Sequence, residues 1–465
     1  MKEASSEGAL KRPNRVFYGW WIVVIGLITS ALKHGTFNRG FTIYILPIQN
    51  SLGIDRTAIS LAETLGRLEG GLHGPVVGYL TDRFGGGALM AAGGLISGLG
   101  FILVSFTHNY LYFMLVYVGL ISLGVRAGYE NASIPAVNQW FRRKRSLAMA
   151  LVSAGQGLGC AAIPPLLGVM VFSLGLGWRT SALVSGVAIL AIVVPLSFLV
   201  RRSPESMGLL PDGARPDVPL SSTSQESGAG EEQGRKDMAT PQGPGPTTVG
   251  TPADRVPGEA DFTTKEALRT RSYWLLVLAV GLRNSVHAGM SFHLAPLMVW
   301  SGVSEPTAAI FVGLMCFGIL AFNPCAGWMG DRWSKQRISA VAMVSGILAV
   351  VMMLYSSGQL WQLAVFITFL AFSESANPLA CAILGDFFGR RSFATLRGWQ
   401  HLPDQLMSML TPLWMGWIFV HTDESYFWAL IPIAVMYGLS AFFYWTIPRP
   451  EIPARLANPQ SPIPP

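Results

Sequence analysis

Charge is what this chain has least of. Asp, Glu, Lys and Arg make up 13% of its residues, about half the share of a soluble domain. So few charges cannot cover a water-facing surface, which excludes a string of soluble domains. Cysteine is equally scarce. Cys160, Cys316, Cys325 and Cys381 all fall inside apolar blocks with no C-x-x-C spacing. They read as small helix-packing residues rather than disulfides or metal ligands. No pair of His, Cys or acidic residues has metal-ligand spacing. Gly155-Gln156-Gly157-Leu158-Gly159 lies within an apolar block, and neither a strand nor an acidic ribose partner accompanies it. Close helix packing explains it better than a nucleotide loop. No catalytic residues, metal or cofactor are therefore expected. The net charge of +7 has no aromatic-basic face beside it, which excludes nucleic acid as a partner.

Apolar residues are abundant, at 51%, and they come in blocks of roughly 20, the length that crosses about 30 Å of hydrocarbon. Twelve spans are expected, at 17–48, 58–80, 87–106, 111–136, 147–172, 180–200, 272–300, 306–329, 338–357, 360–386, 396–420 and 427–447. The first is too long for a signal-peptide core and is read as a retained helix. A motif appears twice. Gly78-Tyr79-Leu80-Thr81-Asp82-Arg83-Phe84-Gly85 follows the second block, and Gly327-Trp328-Met329-Gly330-Asp331-Arg332-Trp333 follows the eighth. A duplicated turn in a duplicated apolar chain indicates two homologous halves. The fold class is thus an all-α membrane protein with twelve transmembrane helices in two pseudo-symmetric six-helix bundles.

The basic residues set the expected orientation. With the N-terminus inside, the inner loops hold Arg83, the run 142–145, Arg332, Lys335, Arg337, Arg390 and Arg391, while the outer loops hold Arg56 and Arg179. This positive-inside bias puts both termini in the cytoplasm of a bacterial-type plasma (inner) membrane. The run 142–145 reads as a topology anchor. Residues 203–260 are rich in Pro, Gly, Ser, Glu and Gln and poor in aromatics, the composition of a disordered linker. The expected layout is a tail at 1–16, a bundle at 17–202, the linker at 203–260, a bundle at 261–448 and a tail at 449–465. Thr263 and Glu266 have capping-box spacing and start a short helix before the seventh span.

A charge in hydrocarbon is costly and faces a cavity or a partner. Spans 3, 6, 9 and 12 carry none, so the third helix of each triplet is expected to face lipid. Glu63 with Arg67, and Arg126 with Glu130, are four residues apart and read as self-paired packing elements. The remaining intramembrane charges are Lys33, Arg39, Glu69, Arg283, Glu374 and Asp404, with His287 and His293 on the seventh span. Lys33 and Arg39 are six apart, about 120° around a helix. Gly35 and Gly40 permit a break that would let both face one site.

The doubled Gly-x-x-x-Asp-Arg turn resembles the signature of the major facilitator superfamily over nearly the whole chain. The resemblance implies conformational roles for Gly78, Asp82, Arg83, Gly327, Asp331 and Arg332. A narrower resemblance is to the monocarboxylate transporter and oxalate:formate antiporter group, in its bacterial form. It rests on Tyr18-Gly19-Trp20-Trp21, Arg67-Leu68-Glu69-Gly70-Gly71, Trp140-Phe141 and Gly208-Leu209-Leu210-Pro211-Asp212-Gly213. That group commonly has a cation late in the first helix, the place of Arg39 in Asn38-Arg39-Gly40-Phe41. It also commonly has an Asp and, four residues on, an Arg-Pro in the eighth helix. Here Ile319 and Asn323-Pro324 stand instead, so proton coupling through that pair is not available.

The resemblance implies a monomeric secondary transporter of a small organic anion, a monocarboxylate, coupled to protons or working by exchange. Arg39 and Arg283, with Lys33 and Asn38, are the expected carboxylate ligands, and Asn323 donates where relatives have Arg. Glu374, Asp404, His287 and Glu69 are the candidates for a coupled proton. The alternative is a carrier of a neutral or cationic metabolite or drug received by Glu69, Glu374 and Asp404. A third reading is a membrane receptor or sensor with the linker as its docking segment.

Overall fold

The computed structural model describes residues 17–54, 56–213, 261–422 and 425–451. Within hydrocarbon a backbone must satisfy its own hydrogen bonds, and among the described residues all regular structure is helical. Twelve long helices run in order: α1 (Gly19–Leu52), α2 (Arg56–Phe84), α3 (Gly86–Val104), α4 (Tyr110–Trp140), α5 (Arg145–Ser173), α6 (Gly177–Leu199), α7 (Arg271–Trp300), α8 (Glu305–Gly330), α9 (Lys335–Leu354), α10 (Leu360–Phe388), α11 (Phe393–His421) and α12 (Phe427–Thr446). Ten of these are long and apolar enough to cross a membrane by length and composition. The other two, α2 and α11, are too polar along their length, with charged residues, histidines and glycines or prolines among the apolar ones. They are also the two that pack on each other across the halves, so their polar faces are sheltered by protein rather than by lipid.

The halves repeat one plan. In the first, α1 packs on α5, and α3 packs on α4 and α6; in the second, α7 packs on α11, and α9 packs on α10 and α12. Two matching seams join them, α2 on α11 and α5 on α8. As expected, α3, α6, α9 and α12 turn apolar stripes outward, including Leu95, Leu99, Val184, Val187, Val344, Leu348, Val435 and Leu439.

Three departures from regular α-helix matter. α1 winds through a π turn at Lys33–Asn38, α4 through one at Tyr117–Ser122 and α5 through one at Val169–Ser173. The expected break in α1 is thus a local widening with an irregular step at Arg39 and Gly40. Such turns are frequent at functional sites. α10 is interrupted once, at Ser375 beside Glu374.

The segment after α6 departs from the reading of 203–260 as a disordered linker. Pro204–Met207 and Pro211–Gly213 form 3-10 turns. They are held because Asp212 accepts the backbone N–H groups of Arg142 (3.0 Å) and Arg143 (2.8 Å). The rest of that segment, 214–260, lies outside the described residues, as do the 1–16 tail and most of 449–465. The expected capping box is present. Thr263 N–H donates to Glu266 Oε2 at 2.8 Å, starting the short helix Thr264–Leu268. Thr270 then caps α7 through Tyr273 N–H.

Candidate functional site

The duplicated motif lies at one end of the bundle, and its carboxylates tie the halves together. Asp82 belongs to the last turn of α2, and the chain turns only at Gly85, where φ is 88°. It accepts N–H bonds from Ala394 (3.1 Å) and Thr395 (2.8 Å), plus the Thr395 hydroxyl (2.6 Å), at the start of α11. Asp331 accepts the N–H groups of Ser146 (2.8 Å) and Leu147 (3.1 Å) at the start of α5. Each satisfies orphan donors at a helix N-terminus, where a negative charge is also favoured by the helix dipole. Burial pushes the Asp331 carboxyl up, against the opposing pull of those N–H bonds. A Cβ on Gly78 would collide with the carbonyl of Ala394, and one on Gly327 with Ala150, so both glycines let the seams close. Arg83 and Arg332 stay outside this clasp. They lie over Phe84 (5.5 Å) and Trp328 (3.9 Å) on the surface.

More of this end was hidden from the sequence. Arg145, expected to be part of a topology anchor, is buried and donates across the halves to Asp386 at 2.7 Å. Asp386 also receives Lys335 Nζ at 2.6 Å. Arg390 donates to Gln139 O (2.9 Å) and Glu205 (3.0 Å). Gln139 reaches back to Arg390 O (2.9 Å). Asp261 accepts Arg390 N–H at 2.7 Å, the counterpart of Asp212 on the first half. Phe17 packs on Trp140 and Phe141, and Trp20 on Phe141. Three of the four motifs behind the narrower resemblance therefore meet here, at the closed end.

A second polar layer lies deeper. Arg126 and Glu374 each stand 14 residues before the motif end of their helix, about 21 Å along it. In the second half, Glu374 is buried and pairs with the buried Arg283 guanidinium, and His287 Nδ1 meets its other oxygen at 2.7 Å. Arg283 also donates to Asn284 Oδ1 at 2.5 Å. Asn284 reaches Asp404 as well, which takes Ser408 Oγ at 3.4 Å and lies 3.8 Å from His401. Glu374, Asp404 and His287 are thus one network, with Asn284 and His401 as members the sequence reading passed over. Arg283, expected as a carboxylate ligand, is instead committed to Glu374.

In the first half Glu63 is the hub. Arg67 donates to it at 2.9 Å, the expected pair, while Tyr117 OH bonds its other oxygen. Arg126 joins Glu63 at 3.5 Å and Ser122 at 3.0 Å. The side chain of Glu130, its expected partner, lies outside the described residues. Glu69 sits 3.6 Å from His73 Nδ1 on the same helix. The π turns of α1 and α4 face each other through Phe37 and Tyr117, and Arg126 lies over Phe37.

Arg39 stands apart from both hubs. It is half-buried just past the π turn of α1, beside Cys160 of α5 and Cys316 of α8, and within electrostatic range of Glu374. No carboxylate among the described residues is within ion-pair distance of it. Lys33, half-buried, opens the same turn and Asn38, exposed, closes it. Asn323 is buried on α8, its Oδ1 without a hydrogen-bond partner. It lies seven residues from the motif end of α8, about 10 Å, against about 30 Å for Arg39 on α1. The structure does not bring these two together. His293 is a packing residue, held by Tyr426 OH (2.9 Å) and Pro412 O (3.0 Å).

The chain is similar to known proteins. The profile of the family described as the Major Facilitator Superfamily matches residues 34–369 and 284–464. An oxalate:formate antiporter of Oxalobacter formigenes is 25% identical over 72% of this chain and 68% of its own length. Human monocarboxylate transporter 6 is 24% identical over 92% of this chain and 78% of its own. An uncharacterized transporter of this type from Bacillus subtilis, YcxA, is 22% identical, and the match spans 43% of its length. The crystal structure of the transporter FucP in the outward conformation superposes with a TM-score of 0.64 at 13% identity, covering 92% of this chain and 99% of that one.

Proposed function

We propose that this chain, which belongs to the Major Facilitator Superfamily and is a membrane transporter rather than an enzyme, carries a small monocarboxylate by alternating access of its two halves. The observation that carries the reading is Arg39. Arg67, Arg126 and Arg283 at the neighbouring levels each have a carboxylate partner. Arg39, between the halves, has none among the described residues. An uncompensated intramembrane charge is costly and marks a substrate path, and a guanidinium matches a carboxylate bidentately. Lys33 and Asn38 lie on the same turn to assist. The oxalate:formate antiporter and the monocarboxylate transporters among its relatives agree with an anion.

The network around Glu374 supplies the coupling. Arg283 and Glu374 cancel each other, so a proton taken by His287 adds a net positive charge within reach of Arg39's field. That charge favours the anion, so proton and carboxylate bind together and leave together. Without the proton gradient the same site runs in exchange. The basic loops of the motif end support a cytoplasmic side for it; in this reading the clasped state faces outward, and the carrier works as a monomer. The cationic-substrate alternative loses two of its three acids, because Glu374 and Asp404 are already engaged.

The test is uptake of labelled lactate, pyruvate, acetate, formate and oxalate into proteoliposomes, with and without an inward proton gradient. Saturable uptake that rises with the gradient is expected, and His287→Gln should remove the rise. Inhibition by organic cations but by none of these carboxylates would overturn the reading.

A further inference from the structure

Two cysteines face the α5 and α8 seam below Arg39. α5 threads between α1 and α8 on a stripe of small residues. Gly155 and Gly159 lie against α1 at Leu27 and Ala31, while Gly157 lies against Cys316 and Leu320 of α8. One turn on from Gly157, Cys160 points its Sγ toward His34 O at 3.9 Å, inside the π turn of α1. Cys160 and Cys316 thus lie within about one turn of each other across the α5 and α8 seam, and both feel the Arg39 guanidinium. They lie 15 and 14 residues from the motif ends of α5 and α8, about 21–23 Å. This is the level of Glu374, and Arg39 stands further from the clasped end. Going along the helices toward the clasped end, Arg39 therefore comes before Cys160 and Cys316, which stand where the two halves touch.

We propose that Cys160 and Cys316 form the floor of the anion compartment, so that a carboxylate held by Arg39 rests its carbon chain on the two thiols and their bulk sets the chain length accepted. This rests on the anion reading above and goes beyond it, since it names the residues that limit the substrate. A thiol is a small, weakly polar group, suited to a short alkyl chain and unable to compete with Arg39 for the carboxylate. Because the floor is shared between α5 and α8, it parts when the seam opens, and the anion is then released toward the motif end.

The test uses the four native cysteines of the full-length protein in proteoliposomes. An anionic methanethiosulfonate is added from the side that takes up substrate, and labelling of each cysteine is followed by mass spectrometry. Cys325, exposed on α8, and Cys381, which receives Arg397 at 3.2 Å, are internal references. A transported carboxylate is expected to slow labelling of Cys160 and Cys316 at least about 5-fold, the scale of an occupied site, and to leave Cys325 unchanged. Cys160→Ala with Cys316→Ala should raise valerate uptake relative to acetate about 10-fold, the scale of a methylene or two of pocket space. If carboxylate uptake occurs and needs Arg39, yet labelling is unprotected or the ratio does not move, the floor is wrong and the anion reading stands. If no carboxylate is taken up by folded protein, both fall. Cys160 and Cys316 that never react also overturn the floor.

Discussion

The two ends of the seams differ in how faithfully the halves copy each other. At the motif end they are near duplicates: Asp82 on the start of α11 mirrors Asp331 on the start of α5, and Asp212 mirrors Asp261. At the deeper layer the copies diverge. Where α4 carries Arg126, α10 carries Glu374 at the matching level, and the hubs differ in make-up: one acid with two arginines, against one acid with a single arginine and a histidine. A gate must close twice in the same way, so symmetry suits it. A site for a small asymmetric anion and a proton need only be built once. The duplicated residues are thus read as machinery and the unmatched ones as chemistry.

The comparison can be broken most sharply at its charged hubs. Glu374→Gln leaves the buried Arg283 uncompensated, with an expected loss of about 3–5 kcal/mol. Arg126→Gln leaves Glu63 still held by Arg67 and Tyr117, with an expected loss of about 1–2 kcal/mol. Thermal unfolding in detergent orders the two; equal losses would mean that the hubs are equivalent after all. Next come the clasps. Asp82→Asn weakens three hydrogen bonds and Asp331→Asn two. Each should shift the population toward an open motif end, by about 2–3 kcal/mol for Asp82 and about 1–2 for Asp331. Spin-label distances between α2 and α11 report the shift. Gly78→Ala sets a methyl against the Ala394 carbonyl, and Gly327→Ala sets one against Ala150 Cβ and 2.8 Å from Ser146 O, so both should hold their seams open, the first slightly more. The smallest effect belongs to Asp212→Ala, about 1 kcal/mol. It is read as faster hydrogen exchange at Arg142 and Arg143, with the corresponding amides at Arg390 and Arg391 unchanged.

The twelve helices and the duplication were legible because both are written in strong local patterns, blocks of apolar residues and a repeated Gly-x-x-x-Asp-Arg. The Glu63 and Arg67 pair and the Thr263 and Glu266 box were legible for the same reason, their partners being three or four residues apart. What was not legible depends on residues far apart in the chain. Arg145 reads as one more basic residue in a run until Asp386, from the other half, is brought to it. Arg283 reads as a free cation until α10 delivers Glu374. Asn323 shows the converse error: a position inherited from a resemblance lies at a different depth from the arginine it was meant to assist. The π turn of α1 has no clear sequence mark beyond its glycines, because widening a helix by one residue needs neither proline nor a polar run. The motifs of the narrower resemblance turned out to report mostly on the closed end, which is why they were better guides to family than to cargo.

The most direct test of the central claim is equilibrium binding of a radiolabelled carboxylate to purified protein, for the native chain and for Arg39→Gln, by scintillation proximity. The account predicts saturable binding that Arg39→Gln weakens about 100-fold or more, the scale of a lost buried bidentate charge pair, while Arg126→Gln weakens it far less. Undiminished binding in Arg39→Gln, or an equal loss in both variants, would contradict it.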